Sequence, residues 1–414
     1  MGLLTKPMRW GGVHVIVTDE KPKDIGVAKK LADEVVQVST TDVEGLLRVI
    51  RDKKIDGVFS GPTEFNIVNT MNVCKAAGLP FYCTRKQWEV CSDKQKFKEM
   101  CRAYDVPCVP EFHLTPALLE DDLARIKYPV IIKPVDGCSS KGITVCHSKE
   151  DIPKAYELAL SYSASKRVIV EKYLVGEYGV VFRYLIIKGN IYLVAINDNY
   201  TVDRSDGKVM ITAAAVFPSK RTEEFLRTIH PNIVKMIKGL GMENGTCFLQ
   251  ARVDGDDNQV YFHEMGLRLS GGMLFPIYKK ACGFSDMKMM IHNALGEDMA
   301  TEDEIAKIDP YFHGNIVGSM CVPLKQGKIV NISGVDDVKQ DEAVFDFLQY
   351  YYEGDSVPSE WIGTLMQHFC RIKFITDDYS KLVGMFDKYQ HQLSIKDSSG
   401  GDMIYRYFDT SRLL

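Results

Sequence analysis

The sequence predicts an α/β (α+β) protein with an amino-terminal doubly wound parallel sheet, a central region of two antiparallel sheets and a carboxy-terminal α+β segment. Two observations support this fold class. Short apolar runs alternate with helical patterns as far as residue 83, and from residue 128 strand-like runs follow one another with hairpin signals between them. We place the three parts at residues 1–93, 94–308 and 309–414.

The amino-terminal part alternates strands and helices. Strands are expected at 13–18, 35–40, 56–60 and 80–83, with helices at 24–34, 42–53 and 66–77 between them. A first strand with a Gly-rich turn normally opens such a sheet, and none is recognisable before residue 13, through truncation or divergence. We therefore expect strand 13–18 to be exposed along one edge, or to be covered by a partner subunit in a homodimer.

The rest of the chain is rich in antiparallel strand signals. Lys188-Gly189-Asn190 is a hairpin signal between two apolar runs. The expected strands are 130–133, 143–146, 168–171, 180–187, 191–196, 246–253, 259–265, 314–322 and 370–375, and the expected helices are 221–240 and 378–390.

Composition excludes several classes of function. The net charge of −4 and the absence of a basic run argue against a nucleic-acid partner. No apolar run approaches the roughly 18 residues that a membrane span needs, so we expect no membrane partner. The 11 cysteines form no CxxC pair, which favours reduced thiols and a cytoplasmic location. The partner is therefore expected to be a small molecule.

The first chemical motif is PVIIKPVDGCSSKGI at 129–143, in which a strand delivers Lys133 to a loop. Glycine backbone N–H groups and serine hydroxyls can surround phosphate oxygens, and a lysine fixed on a strand adds positive charge. The loop residues in question are Gly137, Ser139, Ser140 and Gly142. A plain hairpin turn is the alternative interpretation.

The second motif is VIVEKYLVGE at 168–177, where a strand ends in Glu171-Lys172-Tyr173-Leu174 and Glu177 follows. Such a segment can lie along a purine, with backbone groups at the base edge and a carboxylate at the ribose hydroxyls. Without the other motifs it is an exposed acidic strand end.

The third motif, at 248–272, carries Gln250 and Glu264 on paired strands, with Arg268 just beyond. Oxygen ligands on adjacent strands suit Mg2+, and an arginine suits a transferring phosphoryl group. If an odd-numbered turn closes the hairpin around residues 256–258, Gln250 lies opposite Glu264. His263 should then point to the opposite face as a packing residue.

In this order and spacing the three motifs resemble the ATP-grasp superfamily, in particular the branch of biotin carboxylase, carbamoyl phosphate synthetase and the bacterial L-amino acid ligases. The resemblance implies ATP held between two antiparallel sheets under a lid at about 125–170, with Mg2+ or Mn2+. It assigns Lys133 and Lys94 of SDKQKFK to the ATP phosphates, Glu171 to Leu174 to adenine and Glu177 to ribose. It assigns Gln250 and Glu264 to the metal, and Arg268, with Lys133, to catalysis.

One position departs from that family. The family pattern is Glu-x-Asn-x-Arg, whereas this chain has Gly266 between Glu264 and Arg268, and glycine has no side-chain ligand for a second metal. The second Mg2+ then recruits water or another group, or the site is weakened.

The function implied is an ATP-dependent carboxylate–amine ligase that works through an acyl phosphate. The alternatives are an enzyme of the biotin carboxylase or carbamoyl phosphate type that uses bicarbonate, and a catalytically silent ATP-binding protein. We expect carboxylate and amine substrates, whose contacts are candidates at Asn199, Tyr200, Asp203 and Arg204.

Overall fold

A computed structural model of the protein describes residues 1–5, 12–21, 27–136, 142–176, 178–202 and 211–414. The predicted α/β class is confirmed, and the strands form one mixed sheet, two larger antiparallel sheets and two small strand pairs. No helix in the described part of the chain has both the length and the apolar character needed to cross a membrane.

The amino-terminal part is a four-stranded sheet in the order β3-β2-β1-β4, flanked by helices. Its elements are β1 (Gly2–Thr5), β2 (His14–Thr18), α1 (Val27–Leu31), β3 (Glu34–Val36), α2 (Val43–Asp52), β4 (Gly57–Phe59) and α3 (Glu64–Ala77). The side chain of Asp42 caps α2 by accepting from the Gly45 N–H. The apolar faces of the strands and helices form a small core around Ile16, Leu46 and Val73.

The expectation of an open edge at residues 13–18 is wrong. β1 occupies the position between β2 and β4 and runs antiparallel to both. β2 and β3 are parallel, so β2, β3 and β4 share one direction as predicted, while the central strand is reversed. Unpaired N–H and C=O groups along β2 and β4 would be costly. A short strand between β2 and β4 can pair with these groups whether it runs parallel or antiparallel. β2 therefore needs no partner subunit to complete its pairing.

The strand predicted at 80–83 is also wrong, because that segment is irregular. Pro80 lacks the N–H that a ladder needs. Instead Tyr82 reaches the central region, where its hydroxyl donates to the Leu267 carbonyl at 2.8 Å. Two helices, α4 (Arg85–Ser92) and α5 (Lys94–Ala103), then lead into the central region.

A four-stranded antiparallel sheet in the order β5-β8-β6-β7 follows. Its elements are β5 (Glu111–Phe112), α6 (Glu120–Leu123), β6 (Val130–Pro134), β7 (Thr144–Cys146), α7 (Ile152–Tyr162) and β8 (Val168–Lys172). It has a core of its own, in which Val130, Ile132 and Val170 pack against Ile152 and Ala159 of α7.

The largest sheet has eight antiparallel strands in the order β13-β12-β9-β10-β11-β14-β19-β17. Its strands and helices up to residue 306 are β9 (Gly179–Ile187), β10 (Asn190–Val202), β11 (Ile211–Phe217), α8 (Thr222–Thr228), α9 (His230–Gly239), β12 (Gly245–Val253), β13 (Val260–Gly266), α10 (Phe275–Ala281), α11 (Asp286–Ala294) and α12 (Glu302–Ala306). The single helix predicted at 221–240 is divided into α8 and α9 at Pro231, which cannot donate a helical hydrogen bond.

The carboxy-terminal segment continues that sheet through β14, β19 and β17, so the strands before and after residue 309 share one hydrogen-bond network. Its elements are β14 (Ile316–Pro323), β15 (Gly327–Lys328), β16 (Asn331–Ser333), α13 (Val335–Lys339), β17 (Val344–Gln349), β18 (Ser356–Val357), β19 (His368–Thr376), α14 (Tyr379–Gln392) and β20 (Ser394–Lys396). One face of the sheet packs on a core that includes Phe182, Phe262 and Phe386, and the other on a core that includes Ile277 and Met289.

Candidate functional site

Lys133 and Glu171 form a buried ion pair between β6 and β8. The two strands are antiparallel, with Ile131 opposite Glu171 and Lys133 opposite Ile169, so the two side chains are diagonal neighbours on one face. Lys133 Nζ lies 2.5 Å from Glu171 Oε2. The residues are only 6% and 1% exposed. The strand-borne lysine of the first motif and the acidic strand end of the second are therefore one unit.

Lys98 of α5 completes this unit from the other side. Its Nζ lies 2.7 Å from Glu171 Oε1 and donates to the Val109 carbonyl at 2.8 Å. Burial alone would raise the pKa of Glu171, but Lys133 and then Lys98 outweigh burial and lower it. Sequence reasoning missed Lys98. Its signal is the spacing of four residues from Lys94, which places both lysines on one face of a helix.

Lys94 is the first residue of α5 and lies beside Lys133. The Asp93 side chain caps the helix by accepting from the N–H groups of Gln95 and Lys96, and Lys94 Nζ approaches the Val135 carbonyl at 3.5 Å. Burial, followed by the positive charge of Lys133, lowers the pKa of Lys94. The ammonium groups of Lys94 and Lys133 repel each other, and an anionic ligand would relieve that repulsion.

Gln250 lies directly opposite Glu264 in the ladder between β12 and β13. The predicted pairing is confirmed, but the predicted odd-numbered turn is wrong. Next to the turn, Val253 pairs with Val260 and Ala251 with Phe262, a register that would set Gln250 against residue 263. A β-bulge adds one residue to β13 at that point and brings Glu264 opposite Gln250.

The extra residue is His263, and its predicted packing role on the face opposite Glu264 stays a prediction. A bulge interrupts the alternation of side chains along a strand, so His263 and Glu264 need not face opposite sides. Burial, and then the charge of Lys133, lower the pKa of His263 to about 3. Its Nδ1 is buried and has no hydrogen-bond partner among the described residues. His263 is therefore an electrostatic neighbour of the Lys133–Glu171 pair.

The residues present fit a divalent cation. Gln250 and Glu264 present an amide and a carboxylate on adjacent strands, which are the oxygen ligands that Mg2+ prefers. Burial raises the pKa of Glu264, although the charge of Lys94 acts against it. The negative charge of Glu264 is therefore only partly balanced by its neighbours, which suits the binding of a cation that also contacts phosphate.

Arg268 follows β13 and is held at three points. Its Nη2 lies 3.2 Å from Glu64 Oε1 at the start of α3, and its Nη1 donates to the Leu269 carbonyl at 3.2 Å. Its guanidinium carbon lies 4.8 Å from the centre of the Phe248 ring. Sequence reasoning missed Glu64 and Phe248, which come from helix α3 and from the neighbouring strand β12. Because the guanidinium is positioned in advance, it can meet charge that develops during phosphoryl transfer.

The predicted adenine segment is anchored at several points. Lys172 pairs with Asp254 and, at 3.0 Å, with Asp256 in the turn between β12 and β13. The Tyr173 N–H donates to the Pro129 carbonyl at 3.1 Å. Leu174 is buried. The Lys172 and Glu171 side chains are thus occupied by ion pairs, which leaves backbone groups and apolar surface for a base.

The rest of the predicted nucleotide site is described only in part. Gly142 has a φ of 72°, and a Cβ there would lie 2.8 Å from Tyr162 Cβ, so glycine is required at the end of the loop. Predictions for Gly137, Ser139, Ser140 and Glu177 lie outside the described residues.

The structure describes two of the four candidate substrate contacts, Asn199 and Tyr200. Asn199 pairs with Gly179 and Ala215 in the large sheet, whereas Tyr200 is fully buried and stacks on Tyr178. The structure therefore contradicts the candidacy of Tyr200, because alternation along β10 turns its ring into the core. Asp203 and Arg204 lie outside the described residues.

Comparison with known families matches the part of the chain that carries this site. Residues 93–302 match the family model of the carbamoyl-phosphate synthase L chain, ATP binding domain. This match covers half of the chain and contains every site residue discussed above except Glu64.

Solved structures similar to the whole chain include three enzymes. An L-amino acid ligase from Bacillus licheniformis has a TM-score of 0.70 at 21% identity, covering 89% of this chain and 88% of that one. Phosphoribosylglycinamide synthetase from Anaerococcus prevotii has a TM-score of 0.71 at 18% identity, covering 93% of both chains. The biotin carboxylase domain of the Hydrogenobacter thermophilus 2-oxoglutarate carboxylase, in complex with MgADP and bicarbonate, has a TM-score of 0.74 at 17% identity, covering 92% and 85%.

At these identities the structural likeness establishes the fold, and the family match establishes the relationship. The chain belongs to the carbamoyl-phosphate synthase L-chain ATP-binding domain family of the ATP-grasp superfamily.

Proposed function

We propose that this protein is an ATP-dependent carboxylate–amine ligase of the amino acid type, which activates a carboxylate as an acyl phosphate and releases ADP and phosphate. The observation that carries the proposal is the convergence of Lys94, Lys133, Glu264 and Arg268, whose charges act on one another although they come from α5, β6 and the region of β13. Phosphoryl transfer needs mainly positioning and charge neutralisation, and this set of residues supplies both.

Each residue has a distinct role in this proposal. Lys133 and Lys94 hold the phosphates of ATP, Gln250 and Glu264 hold the Mg2+ or Mn2+ that offsets phosphate charge, and Arg268 steadies the acyl phosphate and the phosphoryl group in transfer. The nucleotide lies along residues 171–174, with Glu177 at the ribose and Gly137, Ser139, Ser140 and Gly142 at the phosphates.

The protein positions the reactants and excludes water from them. Glu171 pairs with both Lys133 and Lys98 and thereby fixes the orientation of Lys133. A rigid lysine stabilises transferring charge without reorganisation at the moment of reaction. All ten described cysteines are free, in keeping with a cytoplasmic location.

The choice of an amine as acceptor draws on the likeness to the L-amino acid ligase. The second candidate is a bicarbonate-dependent reaction of the biotin carboxylase or carbamoyl phosphate type, which draws on the likeness to the biotin carboxylase domain bound to MgADP and bicarbonate. A catalytically silent ATP-binding protein is the third.

An ADP-release screen separates these candidates. The purified protein is incubated with Mg-ATP and pairs of amino acids, then with bicarbonate with and without free biotin or ammonia. ADP formation that requires two amino acids supports the ligase, and formation that requires bicarbonate supports the second candidate. Nucleotide binding without ADP release in every mixture supports the silent protein and contradicts the ligase.

A further inference from the structure

The ring of Phe248 occupies the space that a side chain at position 266 would need. Phe248 and Gly266 are directly opposed on β12 and β13. A Cβ at position 266 would lie 2.5 Å from Phe248 Cζ and 2.6 Å from Cε1, distances that require the ring to move. Phe248 is 2% exposed, so neighbouring atoms enclose the ring closely.

This pair lies next to the candidate metal ligands. Side chains two residues apart on a strand share a face, so Phe248 and Gly266 follow Gln250 and Glu264 along the same side of the sheet. Gln250 and Glu264 present an amide and a carboxylate. Phe248 and Gly266 present an aromatic ring and no side-chain oxygen.

The same ring carries the guanidinium of Arg268, 4.8 Å from its centre. Glu64 and the Leu269 carbonyl hold two of the guanidinium nitrogens. A cation over an aromatic face is stabilised by the ring quadrupole, most of all where water is excluded. The ring thus fills the space of a side chain at position 266 and contacts the guanidinium of Arg268.

We propose that Phe248 and Gly266 together close the position beside Glu264 to a second divalent cation and fix Arg268 as the positive charge there. Phe248 is then a positioning residue for Arg268, and the metal centre takes one cation through Gln250 and Glu264. This inference rests on the proposed nucleotide-dependent function.

A glycine opposite an aromatic residue is also a purely structural device, and the large sheet contains a second example for comparison. Gly318 of β14 opposes Phe374 of β19, and a Cβ at 318 would lie 2.3 Å from the ring. Phe374 packs edge-on against Phe386 and Tyr389. Phe374 therefore provides the matched control for a ring that fills space over glycine outside the site.

The first test counts cations. The intact protein is saturated with a non-hydrolysable ATP analogue, and bound Mn2+ is measured by electron paramagnetic resonance during a titration. We expect one Mn2+ per bound nucleotide, and a second in the Phe248→Ala/Gly266→Asn double variant. Two Mn2+ ions in the wild type would overturn the inference, whereas no binding of nucleotide or Mn2+ would instead reject the proposed function.

The second test measures whether Phe248 positions Arg268 for turnover. Phe248→Leu should lower kcat by roughly 3- to 30-fold, the range to which a cation–π contact corresponds, with the KM for ATP changed less than twofold. Phe248→Tyr keeps the ring and should retain most of the wild-type kcat. Phe374→Leu should lower the Tm while leaving kcat near the wild-type value. An unchanged kcat in Phe248→Leu, or an equal loss in Phe374→Leu, contradicts the positioning role.

Discussion

Gln250 faces Glu264 because one extra residue, His263, bulges from β13 between this pair and the turn. Without the bulge, the register set by the turn would have placed Gln250 opposite residue 263 instead of Glu264. A bulge next to a functional residue changes the direction of the side chain that follows it. Here the bulge sets Glu264 opposite Gln250, and the charges of Lys94 and Arg268 act on Glu264.

Glu264→Gln should abolish turnover without destabilising the unliganded protein. Burial raises the pKa of Glu264, so its charge is costly in the absence of a cation and a neutral amide of the same shape relieves that cost. We expect an unchanged or higher Tm, a fall in kcat of at least about 100-fold, and loss of the Tm increase that Mg2+ with ADP gives the wild type. A large fall in the Tm of the unliganded variant would show that Glu264 serves the fold instead.

Lys133→Met should weaken nucleotide binding and also lower the Tm. As an isolated phosphate ligand, Lys133 would be replaceable without loss of stability, but its pair with Glu171 is buried. Removing one partner of a buried pair costs about 3–5 kcal/mol, and the remaining pair with Lys98 reduces that loss.

A second variant separates the two effects of Lys133. The Lys133→Met/Glu171→Leu double variant should recover part of the Tm without recovering affinity for ADP, measured by calorimetry. Recovery of both would show that Lys133 acts on the nucleotide only through the stability of the sheet.

Arg268→Lys should affect turnover more than nucleotide affinity. Lysine keeps the charge but cannot reproduce the planar contacts with Glu64 and Phe248. We expect kcat to fall about 10- to 100-fold, with the Kd for an ATP analogue within a factor of about three. Arg102→Lys, on the exposed side of α5, is a suitable control. Loss of affinity with an unchanged rate would exclude a role for Arg268 in the transition state.

Stability should fall between about pH 6.5 and pH 4 because of His368. Burial, and then the charge of Arg371, lower the pKa of this histidine to about 4, and its ring lies 3.1 Å from the Thr212 carbonyl. In that window the unfolded chain binds the proton and the folded chain does not. The contribution of His368 to the free energy of unfolding therefore decreases as the pH falls, by up to about 1.4 kcal/mol per pH unit.

The measurement is urea unfolding at several pH values, compared with His368→Gln. The variant should show a shallower decline, because glutamine does not titrate there, while the exposed control His391→Gln should match the wild type. Parallel curves for all three proteins would contradict the assignment to His368.

Local pattern alone was enough to predict many of the strands and several of the helices, but not β1, β5, β11, β17, α4, α5, α7 or α10. Strand alternation and helical spacing are properties of contiguous residues, so β9, β12, β14 and α14 lie within two residues of the predicted bounds. The failures are equally local in origin. Proline broke the strand at 80–83 and the helix at 221–240 because it lacks an N–H.

The chemistry-bearing residue types could also be read from the chain, because phosphate and Mg2+ binding need lysines, carboxylates and arginine at identifiable strand ends. Lys94, Lys133, Glu264 and Arg268 do come together. The partners that these four side chains contact could not be predicted from the sequence. The contacts of Lys98 with Glu171 and of Glu64 with Arg268 join segments distant in sequence, and no local periodicity records which distant elements will pack together.

The sequence by itself therefore determined many of the helices and strands and most of the candidate site side chains, since both depend on neighbouring residues and on intrinsic chemistry. Only the tertiary structure decided the direction of β1, the bulge at His263 and the pairing of Phe248 with Gly266. Each of these is a choice of strand partner or register. Such choices depend on the summed packing and hydrogen bonding of segments far apart in the chain.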